Sequence, residues 1–275
     1  MNLRKNSLLA AMALTTAIVG CKSDGGNSSS SEGTNFEWML TEQSRYTYNF
    51  SNASETEHQW AADEEPMKAN MLMDGTIEII GTAPNRGTLN TTNTVIRMID
   101  FNDEGAPIDT MLQELPTNRI EGFASNGSLT GDKSGLYTNY LFPIPPDVMK
   151  EGQTSTKAFT TVAKTAEQDY DAKGINTLTL TGFEQVNGRN CAVLTGDIKF
   201  TEIALPEGEA GERSYTVEGS GKYYFDVDNG LYVKSSVEIT THIFVNTAVP
   251  ENDGRGYFMD RETVDRYEVN LDGVE

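Results

Sequence analysis

The sequence predicts an all-β, mainly antiparallel protein, built as a curved meander sheet or open half-barrel with one or two short helices. Three observations lead there. Apolar residues recur with period two rather than 3.6, so side chains alternate between a buried and a wet face. Six dipeptides of the hairpin type, Asp74-Gly75, Asn126-Gly127, Asn187-Gly188, Asn229-Gly230, Asp253-Gly254 and Asp272-Gly273, stand between such runs. Helical periodicity is sparse.

Taken in order, the chain opens with an export signal. Arg4 and Lys5 give a basic start, Leu8 to Val19 an apolar run, and Ile18-Val19-Gly20-Cys21 a small residue before a cysteine. So short a run is a secretory signal and not a membrane span. Its last four residues resemble the lipobox of bacterial lipoproteins, whose cysteine is acylated and becomes the mature N-terminus. That resemblance makes Cys21 the lipidation site and the membrane a partner through its acyl chains. Lys22 follows, where an aspartate would resemble an inner-membrane retention signal, so the outer membrane is the expected location, on its periplasmic face or at the cell surface. Lys22 to Thr34 is rich in Ser, Gly and Asn and reads as a tether spanning roughly 20 Å. The expected organisation is a signal peptide over 1–20, a lipidated tether over 21–35, and one β domain over 36–275.

Within that domain the alternation marks Tyr46, Tyr48 and Phe50, then Ile77 and Ile79, then Val95, Ile99 and Phe101. Ile108 to Leu115 reads as a short helix stopped by Pro116, and Thr165 to Ala172 as a turn or two. Phe142-Pro143-Ile144-Pro145-Pro146 lacks backbone donors and reads as a crossover between two groups of strands. Leu178 and Leu180 continue the pattern, and Cys191 follows the Asn187-Gly188 turn in an apolar strand. The longest run is Leu231, Val233, Val237, Ile239, Ile243 and Val245, with Tyr232, Lys234, Glu238, Thr240 and His242 on the opposite, wet face.

Charge and composition narrow the function. The whole chain carries −20, which becomes −22 once Arg4 and Lys5 leave with the signal. Such a surface argues against nucleic acid and against a bare anionic bilayer. Besides the anchor the mature chain has only Cys191, so no internal disulfide is available and the thiol reads as core. His58 and His242 are the only histidines; the first reads as part of a polar loop beside Trp60, the second as solvated or paired across strands. No His-x-x-x-His or Cys-x-x-Cys spacing exists for zinc. Gly219-Ser220-Gly221-Lys222 lacks the upstream glycine of a phosphate loop and reads as a bend or bulge. Asp226-Val227-Asp228-Asn229-Gly230 lacks the spacing of a calcium loop and reads as a hairpin turn. Asp63 to Glu65, and Asp100 with Asp103 and Glu104, are acidic loops without catalytic pattern. The expectation is a protein with no catalytic residues, no cofactor and no metal site.

Two stretches resemble a family of uncharacterised bacterial lipoproteins and secreted proteins. One is Leu141 to Pro145 with Val148 to Gln153, and the other runs from Thr179 through Cys191 and Gly219 to Leu231. The sequence departs from that family at Gln153 and Thr154, where a tryptophan is usual. The resemblance implies the hairpin fold and carries no reaction. A looser resemblance, to the half-barrels of lipoprotein carriers, implies a concave apolar face for acyl chains. The functional expectation is therefore an anchored, non-enzymatic binding protein for a lipid or other apolar or amphipathic ligand. The alternative is a structural or protein-interaction lipoprotein with no small-molecule site.

Overall fold

A computed structural model describes residues 33–102, 105–132, 134–164, 169–204, 212–247 and 257–275. Cys21, the signal and most of the tether lie outside the described residues, as do Asp103, Glu104 and Asp253-Gly254. Eleven strands form one antiparallel sheet: β1 (Arg45–Gln59), β2 (Met67–Ala83), β3 (Arg86–Phe101), β4 (Pro107–Glu114), β5 (Asn118–Ala124), β6 (Thr154–Lys164), β7 (Asp169–Val186), β8 (Arg189–Ile203), β9 (Glu212–Asp226), β10 (Leu231–Thr247) and β11 (Tyr257–Val274). The all-β, antiparallel, open arrangement expected from the alternation is what the chain adopts.

The spatial order is β4-β3-β2-β1-β11-β10-β9-β8-β7-β6, with β5 beside the first half of β3. The first five strands therefore run outward to one edge. Residues 125–153 then carry the chain to the opposite edge, and β6 to β11 return strand by strand until β11 lies against β1. Among the described residues β6 does not pair with β4 or β5, so the sheet stays open.

The inner face has two halves. At the end where β1 starts, Phe36, Trp38 and Leu40 from the segment before β1, and Leu141, Phe142, Ile144 and Met149 from the 125–153 connection, are buried on Tyr46, Tyr48, Ile77, Leu178, Leu194 and Tyr223. Trp38 sits at the centre, with the rings of Phe123, Phe142 and Tyr232 at 5.3–5.6 Å, within the range of favourable aromatic pairs. Backbone bonds fix this plug: Trp38 N–H donates to Ser125 O, Met39 N–H to Gly230 O, and Thr34 and Met149 exchange a pair. This half is filled.

Several expectations are corrected. Ile108 to Leu115 is not a helix; all but Leu115 belong to β4, because pairing with β3 outweighs weak helix propensity. The described part of Thr165 to Ala172, residues 169–172, is strand, and the single helix among the described residues is a π-helix at Leu136–Leu141. Asp74-Gly75 lies inside β2 and Asp272-Gly273 inside β11, where Gly273 flanks a bulge opposite Thr47 and Tyr48. A turn also forms at Asn85, with φ of 62°, which no Asn-Gly signal announced. Tyr232 is not on a wet face: a bulge at Val233 turns it inward, where it is fully buried and its hydroxyl donates to Pro143 O. Gly219-Ser220-Gly221 is neither bend nor bulge but unbroken β9, and the Tyr223 ring lies over Gly221.

Candidate binding face

Beyond the plug the same face continues, and the strand register fixes what it carries. Tyr46, Tyr48 and Phe50 alternate inward on β1, and so, further along, do Asn52, Ser54, Thr56 and His58. No bulge interrupts the β1–β2 pairing, so Met73, Met71 and Met67 stand directly opposite Asn52, Ser54 and His58 on that face. Across β2–β3 and β3–β4, Met71 faces Met98, and Met98 faces Met111; Met73 faces Ile96. Directly opposed residues place Cβ atoms about 4.5–5.5 Å apart, so Met71, Met98 and Met111 form a ladder over three strands. Met73 packs against the core cluster, which confirms the face, while Met67 and Met111 are half-exposed at 51% and 50%.

On the other side of β1 the opposing β11 residues are Tyr267, Asp265, Thr263 and Arg261. The floor is thus a polar stripe two strands wide. Thr56 and Thr263 hydroxyls lie 3.1 Å apart, and Asn52 Nδ2 donates to Asp265 Oδ1 at 3.4 Å. Asn52 is almost fully buried, and its Oδ1 has no partner. An aliphatic wall follows on β10, with Val237, Ile239 and Ile243 pointing inward. A methionine wall, a polar floor and an aliphatic wall therefore adjoin.

Electrostatics are set mainly by burial. Tyr267 has its phenol pKa raised by burial and, less, by the Asp265 carboxylate. His58 is lowered by burial and by the Arg261 guanidinium, against a smaller opposing effect of Asp100. On edge strand β6, Lys157 is lowered to about 8 by burial, and its ammonium donates to Thr138 O at 2.6 Å.

Two open depressions meet at Asp132, one along β6 to β8 and the other along β5. One, of about 470 Å³, is lined by Asp132, Thr160, Thr161, Asp171, Lys173 and Glu202 among others; the second, of about 350 Å³, includes Arg119, Glu121, Ser134 and Tyr137 and shares Asp132. Asp132 is committed to the turn before the π-helix, accepting from the backbone N–H of Ser134, Gly135 and Tyr137. These depressions carry mixed polar groups, and in the second Ser134 Oγ donates to Asp132 Oδ1 at 2.6 Å.

Of the residues singled out in the sequence, Cys191 and Asp226 face each other across β8–β9, and Asp100 lies near enough to His58 to act on its charge. Cys191 is fully buried, and its thiol is pushed up to about 11 by burial and the nearby Asp226. His242 sits 2.7 Å from Asp260 across β10–β11. His58 is not in a loop but near the end of β1, 5.3 Å from the Trp60 ring. Asp226 is fully buried, accepts from Asp228 N–H, Asn229 N–H and Asn229 Nδ2, and pairs with Arg189 at 2.8 Å, which is hairpin chemistry. Asp63 to Glu65 lie between β1 and β2, and Asp100 is in β3. Among the described residues no group of three His, Cys, Asp or Glu could hold a metal ion, and no helix is long and apolar enough to cross a membrane. The methionine ladder escaped sequence reading because Met71, Met98 and Met111 come together only through register; the Met67, Met71, Met73 spacing was the one available signal.

No protein-family model matches the chain. No curated protein matches it either. Among solved structures, one of lipid–protein interactions in lipovitellin is similar over 86% of this chain, with 12% identity and a TM-score of 0.42; the chain spans 26% of that protein. OccK5 (OpdH) of Pseudomonas aeruginosa is similar over 86% of this chain and 100% of its own, with 6% identity and a TM-score of 0.23.

Proposed function

We propose that the protein is an exported, non-enzymatic binding protein, anchored in the outer membrane through acylated Cys21, that holds an amphipathic lipid on the far half of its inner face. The observation that carries this reading is the methionine ladder Met71–Met98–Met111, on the face that elsewhere forms the core yet half-exposed at its edge. Thioether side chains are flexible and polarisable, and suit an apolar partner of variable shape. The occupant is a lipid rather than a purely apolar molecule because the wall adjoins the polar floor of Asn52, Ser54 and Thr56. A lipobox cysteine would also keep this face within a tether length of acyl chains.

The test is lipid recovery. Acylated protein purified in mild detergent should carry lipid above a mock purification, measured by mass spectrometry. Met71→Lys with Met98→Lys should cut that lipid at least about tenfold, since a charge on the wall costs well over 1.4 kcal/mol to desolvate, whereas Met71→Leu with Met98→Leu should retain it. Recovery of no lipid above the mock sample overturns the proposal. Cys21→Ala should move the protein from the membrane fraction to the soluble one; unchanged fractionation removes the anchor from the reading.

A further inference from the structure

Asn52 presents a buried polar atom on the floor of the candidate face. The residue is 4% exposed, on the inner face, and its Oδ1 has no hydrogen-bond partner. The amide cannot be read the other way round, because Nδ2 must face Asp265 Oδ1, an acceptor. A buried carbonyl oxygen without a donor costs about 1–3 kcal/mol, and most such atoms find a partner. Its neighbours on the β2 side are Met73, directly opposite, and Met71, both flexible and only partly buried. Such a cover can be displaced. Asp265, inward on β11 opposite Ser54, adds a carboxylate at the same point, and the chain's net charge of −20 favours a cation over an anion there.

We infer that Asn52 and Asp265 form a headgroup subsite for a lipid whose polar head carries N–H donors on a cation, a primary ammonium head, with the acyl chain on the methionine ladder. This deepens the proposed function and rests on it. Asn52 Oδ1 accepts one ammonium hydrogen, Asp265 a second, and Ser54, one register step from Asn52 on the same face, lies beside them. A quaternary ammonium has the same charge and no N–H donor, so charge and hydrogen bonding can be separated.

The experiment measures transfer from vesicles to the purified full-length protein of two lipids with identical acyl chains, phosphatidylethanolamine and phosphatidylcholine. The expected result is about tenfold preference for phosphatidylethanolamine, the value of one charge-assisted hydrogen bond. Asn52→Leu should erase most of that preference, because the substitution removes the orphan acceptor, together with the Nδ2 bond to Asp265, at nearly constant volume. Asp265→Asn should lower it in part. Equal binding of both lipids by the wild type, or an undiminished preference in Asn52→Leu, overturns the headgroup subsite and leaves the lipid-binding reading standing. Binding of neither lipid overturns both.

Discussion

Asp226 and Lys157 show how differently a buried and a partly buried charge can be held. Asp226 is fully buried yet has an arginine and three further donors, whereas Lys157 has one carbonyl partner. Asp226→Ala leaves Arg189 without its carboxylate and unties the β9–β10 turn, and should cost about 3–5 kcal/mol in chemical denaturation. Lys157 is a pH-dependent case. Its pKa of about 8 in the folded chain lies below the value near 10.4 of an unfolded lysine. The unfolded chain therefore binds more protons in that interval, and folding stability from this group rises as pH increases from about 8 to about 10.4. The buried Tyr223 and Tyr232 act oppositely: their pKa values are raised by burial, so the unfolded phenols ionise first above pH about 10. Denaturation of wild type and Lys157→Met across pH 7 to 10 separates the two. The wild type should gain relative to the variant over that range, and a flat difference would remove Lys157 as the cause.

At the scale of elements, an aromatic ring occupies the space where glycine replaces a side chain. Gly196 and Gly221 are directly paired, and the Tyr223 ring fills the space above both; a Cβ on Gly221 would stand 2.1 Å from the Tyr223 hydroxyl. Gly221→Val should therefore destabilise by about 3 kcal/mol or more, the range for breaking a core fit, and Tyr223→Ala should recover part of the loss in the double variant. Additive effects would mean the ring and the glycine are not coupled. These elements also mark what the sequence could yield. Period-two runs located β1, β3 and β10, and Asn187-Gly188 located the β7–β8 hairpin because both residues take positive φ there, 51° and 77°. The same dipeptide logic failed at Asp74-Gly75, held in β2 between β1 and β3, and at Asp272-Gly273, where Gly273 pairs with Thr47 of β1 beside a bulge. β4 was misread because eight residues are too few for period to separate helix from edge strand.

For the molecule as a whole, the sequence held the fold class but not the candidate face. The plug around Trp38 and the ladder through Met98 both depend on which strands become neighbours, and β1 with β11 is a pairing across more than two hundred residues. Local pattern contains no such term. That central pairing has a further consequence for how the protein is made. A chain delivered from its N-terminus presents β1 to β5 first, and β1 then waits with one open edge until β11 arrives. Removing residues 257–275 should leave two half-sheets that aggregate, seen as loss of soluble monomer in gel filtration. Assembly is thus timed by the arrival of β11, and the interval before it is when this protein most needs a chaperone to cover a bare strand.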